Sequence, residues 1–343
     1  MKRTSNLKHI WCNYFTLLRA FNEVKESKTY TDVLLIYERN LAVNLENLYL
    51  RLKDGTYNPR PSYEFKVYEP KERTIQAPYL EDRIVQHSLL IATRDLIEVH
   101  FTTNSYACRK GYGTHKASDD LKSALIKYKN TGYYLKLDIK KYFYSISHKI
   151  IIQQLERIIK CKPTIQLFKK FFAVGQTIGL PLGNVTSQVL ANLNLNPIDH
   201  FIKRVLKIKD YFRYMDDFII LHNSKELLNK CWKRIEKEVA KLTLSLNRKS
   251  KVGKIADGID FVGFKTWFNR RVIRKSSLFR IKRKLKTDPN ISRISSFLSH
   301  SKRTNSLIYV VAKILEIVPQ QIEFIKQWIN NNRGDMYHEV FQV

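Results

Sequence analysis

The chain has 343 residues, and its 61 Lys and Arg against 31 Asp and Glu give a formal net charge of +30. So basic a protein is not built for polycations; it points to a polyanion, nucleic acid first. No run approaches the roughly 18 apolar residues of a membrane helix, and no membrane or signal-peptide role is expected after Met1-Lys2-Arg3. The scattered Cys12, Cys108, Cys161 and Cys231 exclude a zinc ribbon or disulfide framework and fit a reducing cytoplasm.

From 7 to 53 the spacing predicts helices. Leu17, Leu18, Phe21 and Val24 share one face; Leu41, Leu45, Leu48 and Leu52 share another, and Asp54-Gly55 stops the second helix. Residues Phe65 to Pro78 read as a β-hairpin whose basic tip holds Lys71 and Arg73, both suited to phosphate. A helix is predicted over 79–91. The loop Ser105 to Ala117, with Arg109 and two glycines before a helix over 114–130, reads as a backbone-binding loop, with His115 structural.

Leu135, Leu137 and Ile139 then alternate with Lys136, Asp138 and Lys140, which is strand periodicity. Asp138 therefore faces away from its apolar neighbours. A helix with Leu190, Leu193 and Ile198 on its core face is predicted over 186–204. Tyr211-Phe212 and Phe218 to Leu221 read as two short strands whose tight turn carries Asp216 and Asp217. Paired carboxylates among apolar strands need a cation, and carboxylate oxygen suits Mg²⁺. Asp138 and Asp216 presented to one space would make a site for two metal ions, which clamp the attacking and leaving oxygens of phosphoryl transfer.

A helix over 224–243 follows, and then a strand over 259–264. From Asn269 to Lys286 nine basic residues (Arg270, Arg271, Arg274, Lys275, Arg280, Lys282, Arg283, Lys284, Lys286) occur with no acidic one. Helices over 304–331 turn Leu307, Val310, Val311, Ile314 and Leu315 inward.

Strand-borne Asp138 with Phe143 five residues on, then Gly179-Leu180-Pro181-Leu182-Gly183 and Tyr214-Met215-Asp216-Asp217, resembles the palm of a reverse transcriptase. The resemblance covers roughly residues 60 to 268. It implies an α+β right-hand polymerase fold with fingers, an antiparallel palm sheet and a helical thumb, and RNA-templated DNA synthesis. The expected domains are a helical extension (1–55), fingers (56–131), palm (132–268, with part of the fingers at about 150–175) and a basic helical thumb (269–343).

The resemblance also implies roles. Asp138, Asp216, Asp217 and the backbone carbonyl of Ile139 would hold two Mg²⁺ ions, with Mn²⁺ able to replace them. Lys71 and Arg73 would fold over the triphosphate of the incoming dNTP, and Arg109 would contact nucleotide or template. Phe143 would exclude a 2′-hydroxyl by shape. Leu182 and Gly183 would line the nucleotide, Gly183 by letting backbone approach it. Lys249, preferred over Lys251, would protonate the departing pyrophosphate. Phe261 and Gly263 would grip the primer, and Arg270, Arg271, Arg274 and Lys275 would begin a thumb tracking template–primer phosphates.

Two departures narrow the resemblance. Leu182 stands where the family's Gln is usual, and Ser187-Gln188 where Ser-Pro is usual. Losing one oriented contact is worth on the order of 1 kcal/mol of discrimination between nucleotides, which implies low fidelity. Leu182-Gly183-Asn184, Thr186-Ser187-Gln188, Ala191-Asn192-Leu193 and Ser105 to Gly111 resemble the reverse transcriptases of diversity-generating retroelements. That subgroup copies a template-repeat RNA from a DNA or RNA primer, misreads adenines, and sends the cDNA to a variable repeat by mutagenic retrohoming. It works with a small basic accessory protein in bacterial cytoplasm, bacterially or phage-encoded. A phage-defence reverse transcriptase shares this palm and is the alternative. A catalytically silent RNA-binding protein is the non-enzymatic one; the full set of aspartates argues against it. No RNase H or endonuclease domain is expected.

Overall fold

The computed structural model describes residues 4–26, 31–68, 72–173 and 175–333. Packing groups the chain into two compact units, each assembled from three segments. The first takes Met1–Cys108, Leu137–Lys209 and Cys231–Ser250; the second takes Arg109–Lys136, Asp210–Lys230 and Lys251–Val343. The four consecutive blocks expected from sequence describe chain order; packing interleaves them.

In the first unit the helix Tyr14–Glu26 turns Leu17, Ala20, Phe21 and Val24 inward. It packs against the helix Leu80–Glu98. That helix runs beyond the predicted 79–91 because Ala92, Thr93 and Ile97 continue its buried stripe. The helix Val185–His200 buries twelve of its 16 residues, in place of the one core face expected. A helix buried all round belongs at the middle of a unit. Its Asn192 satisfies itself by donating to the Ala107 carbonyl at 2.7 Å. Past Pro197 the helix ends in a π-turn, Phe201–Val205.

The hairpin β1 (Tyr63–Val67) and β2 (Arg73–Ala77) forms where expected, in antiparallel register from Tyr63↔Ala77 to Val67↔Arg73. All five residues of β1 are exposed.

The second unit carries a four-stranded sheet of β3 (Tyr133–Asp138), β4 (Tyr211–Tyr214), β5 (Asp217–His222) and β6 (Lys251–Lys254), in the order β4-β5-β3-β6. The last two residues of β3, Leu137 and Asp138, are counted in the first unit. A second sheet is a meander of β7 (Ile259–Phe261), β8 (Phe264–Thr266) and β9 (Arg271–Ile273). The single strand expected over 259–264 is thus a hairpin. Val262 at φ +45° and Gly263 at φ +91° make the two-residue turn that right-twisted strands favour.

Four helices follow: Lys275–Thr287, Ile291–Ser301, Leu307–Ile317 and Ile322–Arg333. They close over one apolar core in which Leu285, Ile294, Leu298, Leu307, Ile314, Ile325 and Ile329 are fully buried. Among the described residues no helix is long and apolar enough to cross a membrane.

Candidate active site

Asp138 ends β3, where burial follows the expected alternation: Leu135 and Leu137 buried, Lys136 and Asp138 half-buried. The chain segment Ser245–Ser250 wraps it. Asn247 donates its backbone N–H to the Asp138 carbonyl at 2.7 Å and its Nδ2 to Asp138 Oδ2 at 2.8 Å. Lys140 N–H donates to the Ser245 carbonyl at 2.9 Å, and Ile139 bridges Leu246 in antiparallel fashion. In that pattern the flanking residues make the hydrogen bonds, so the N–H and C=O of Ile139 itself project from the opposite edge. Lys249 is exposed, and its backbone N–H donates to Asn247 Oδ1 at 3.1 Å.

The second unit holds the other two carboxylates. Tyr214 pairs with Asp217, so the loop is Met215 and Asp216 alone. Asp217 is the first residue of β5, a correction to the expectation that the turn carries both aspartates. Met215 sits at φ +54°, a left-handed conformation that favours glycine. The fully buried Arg213 secures it by donating from Nη1 to the Met215 carbonyl at 3.1 Å. Lys136 reaches Asp217, Nζ to Oδ2, at 3.2 Å.

Of the residues expected to meet the nucleotide, Phe143 is half-buried in a short helix, Tyr142–Ser145, edge-on to Tyr142 at 5.7 Å between ring centroids. Its carbonyl accepts from Leu180 N–H at 2.7 Å, which ties it to the loop holding Leu182 and Gly183. Gln76 N–H donates to the Leu182 carbonyl at 2.7 Å. At Gly183, φ +128°, a Cβ would lie 2.4 Å from the Gln76 carbonyl oxygen. The expected close approach at Gly183 is that of nucleotide; the backbone it admits is that of β2. Arg73 is exposed on β2, and Lys71 lies outside the described residues. Arg109 stacks over the Tyr112 ring at 4.1 Å.

The residues expected to meet the primer divide. Phe261 is fully buried, so a primer there would meet backbone. A Cβ added to Gly263 would meet nothing closer than the His300 ring, at 3.7 Å, so the turn rather than a close approach requires the glycine. Arg271 corrects the expectation of a phosphate contact. It is 5% exposed, and its guanidinium donates to Ser118 Oγ at 2.8 Å, Asp119 Oδ1 at 2.6 Å and the Arg303 carbonyl at 2.8 Å. Arg274 pairs with Asp260. Arg270 is exposed and lies over Trp267 at 4.4 Å, and Lys275 is exposed. His115 packs against Phe264, and burial holds its imidazole below the usual pKa.

A family profile described as reverse transcriptase (RNA-dependent DNA polymerase) matches residues 66–266. The chain belongs to that family. This reverse transcriptase is 27% identical over 302 residues to Protein YkfC of Escherichia coli K12, covering 74% of this chain and 77% of YkfC. It is 29% identical over 219 residues to the group II intron-encoded protein LtrA of Lactococcus lactis subsp. cremoris. That match covers 58% of this chain and spans 36% of LtrA. Its fold is similar to that of telomerase from Candida albicans, solved with a fragment of telomeric RNA. The TM-score is 0.52 at 14% identity, over 83% of this chain and 60% of that one. The fold is therefore the right-hand polymerase fold, and the enzyme class is RNA-directed DNA polymerase.

Family membership implies divalent metal. Among the described residues no three His, Cys, Asp or Glu side chains form a ready-made ligand cluster. The donor chemistry nevertheless fits. Asp138 and Asp217 are half-buried carboxylates at strand ends and Asp216 is a half-buried carboxylate in the turn beside Asp217, and oxygen donors of this kind suit Mg²⁺. Sequence reasoning missed Asn247, Arg213 and Lys136. Of these, Lys136 carried a signal, since strand period two puts it on the face of Asp138.

Proposed function

We propose that the chain makes error-prone cDNA from a template-repeat RNA, as the reverse transcriptase of a diversity-generating retroelement. The observation that carries the polymerase reading is the set of three carboxylates, Asp138 and Asp217 at strand ends and Asp216 in the turn, within or beside motifs inside the family-matched span. With the Ile139 carbonyl they would hold two Mg²⁺ ions. Bound there, the ions would supply an activated primer 3′-hydroxyl and a neutralised pyrophosphate.

The chain's own residues do the rest. Asn247 orients the Asp138 carboxylate and positions the Lys249 backbone, whose side chain protonates the leaving pyrophosphate. Lys71, Arg73 and Arg109 neutralise the triphosphate. Phe143, tied by its carbonyl to Leu180, excludes the ribose 2′-hydroxyl. Arg270 and Lys275, both exposed, meet template–primer phosphates. Leu182 supports the subgroup, because an apolar side chain offers no hydrogen bond where the family's Gln would judge the base pair. The partners are template RNA, a DNA or RNA primer and a small basic accessory protein, in the cytoplasm of a bacterium.

The test is primer extension on a defined RNA template with Mg²⁺ and dNTPs, with and without any small basic protein encoded beside it, and sequencing of the product. Template-matched cDNA with errors concentrated at adenines is expected. Faithful or untemplated product would move the assignment to a defence-associated reverse transcriptase. RNA binding without product in both conditions would leave a silent binding protein.

A further inference from the structure

A protein cation already sits on the β4–β5 hairpin. Lys136 Nζ lies 3.2 Å from Asp217 Oδ2 and donates to the Asp260 carbonyl at 2.6 Å. The pair is three-quarters or more buried, with side chains 21% and 25% exposed. Asp260 belongs to β7, and its carboxylate pairs with Arg274, the N-cap residue of the helix Lys275–Thr287. Within the second unit a line of contacts therefore runs Asp217, Lys136, Asp260, Arg274. It joins the turn to the strand and helix that follow.

Two acceptors hold this ammonium, and they differ in kind. The carboxylate is one a divalent ion also wants, and the carbonyl is not in that competition. Without metal, the positive charge offsets the mutual repulsion of the adjacent carboxylates Asp216 and Asp217. With metal, the same charge opposes the incoming ion and occupies one of its donor oxygens. The Asp260 carbonyl gives the ammonium a remaining partner once the carboxylate is taken, so the lysine need not be left buried and unsatisfied.

We propose that Lys136 is the resident counter-cation of the β4–β5 hairpin: it holds Asp217 in the metal-free protein and yields that carboxylate when a divalent cation binds, staying anchored on β7. This rests on the reading of Asp217 as a metal ligand. Removing the charge then has two opposite effects. The metal-free protein loses stability, and its affinity for the metal rises. Removing a lysine that only packs would lower stability and leave metal affinity equal or weaker.

The experiment measures Mn²⁺ binding directly, by calorimetry and by the electron paramagnetic resonance of free Mn²⁺, on the whole protein without nucleic acid. Wild type is compared with Lys136→Met, Lys136→Gln, Lys136→Arg and Asp217→Asn. Lys136→Met and Lys136→Gln are expected to bind Mn²⁺ tighter, by a factor on the order of 10 for a charge this close, and to melt earlier without metal. Gln keeps a donor for the Asp260 carbonyl, so it serves if Met does not fold. Lys136→Arg is expected to match wild type. Equal or weaker Mn²⁺ binding by folded Lys136→Gln would overturn the proposal. Wild-type binding no tighter than that of Asp217→Asn would overturn the metal-ligand reading itself, and the proposal with it.

Discussion

Asn247 makes three hydrogen bonds that matter to Asp138: main chain to main chain at 2.7 Å, amide to carboxylate at 2.8 Å, and acceptance of Lys249 N–H at 3.1 Å. The amide–carboxylate bond fixes the rotation of the Asp138 side chain, so the proposed metal ligand would be presented rather than searched for. A hydrogen bond to a charged group contributes about 1.5 kcal/mol, which corresponds to roughly a tenfold change in rate. Asn247→Ala is therefore expected to slow single-turnover dNTP addition about tenfold while template–primer affinity holds. An unchanged rate would mean that Asn247 only closes the loop. The three aspartates were legible in the sequence because each sits in a local pattern, alternation around Asp138 and a turn between apolar runs at Asp216. Asn247 was not, and Lys136 was legible only in the face it takes, because their carboxylate partners lie 109 and 81 residues away along the chain. Periodicity reports which face a side chain takes, and is silent on which distant segment meets it.

At the scale of elements, the same limit explains the two corrections on the primer side. Ile259 to Phe264 has one glycine and one aspartate among apolar residues, which reads as a strand interior until a partner strand is seen to return. Its turn is encoded only in the positive φ of Val262 and Gly263. Likewise a run of arginines does not declare which of them face outward. Arg271 is spent on Ser118, Asp119 and the Arg303 carbonyl, joining β9 to the helix Thr114–Tyr128 and to the loop before Leu307–Ile317. Arg270 and Lys275 are exposed. The two kinds separate by experiment. Arg271→Met leaves a buried hydroxyl and a carbonyl without their donor, and is expected to lower unfolding free energy by about 2 kcal/mol. RNA affinity of the folded fraction should not move. Lys275→Ala should do the reverse, leaving urea unfolding unchanged and weakening RNA binding. A drop in RNA affinity for Arg271→Met at matched folded fraction would return that residue to the phosphate-contacting set.

For the whole molecule, the charge of +30 and the aspartates answer different questions. Template–primer affinity draws on lysines and arginines that release counterions from phosphate, a term that is indifferent to sequence and steep in salt. The proposed chemistry draws on three carboxylates that weaken the attraction of a polyanion. Asp216→Ala removes a negative charge from a half-buried loop position, so it cannot weaken binding through electrostatics. It removes one proposed metal ligand, so synthesis should fall below detection. The expected outcome is thus split: no extension product, with binding to a duplex of RNA template and DNA primer as tight as wild type or slightly tighter. Between 50 and 200 mM salt both proteins should lose affinity together, by a factor on the order of 10³ if six or more phosphates are met. Binding measured by fluorescence anisotropy across that range, beside the extension assay, decides it. Loss of binding together with synthesis would mean that Asp216 holds the Met215 turn in shape. A shallow salt slope would mean that the basic excess serves solubility, and that template is held by contacts of another kind.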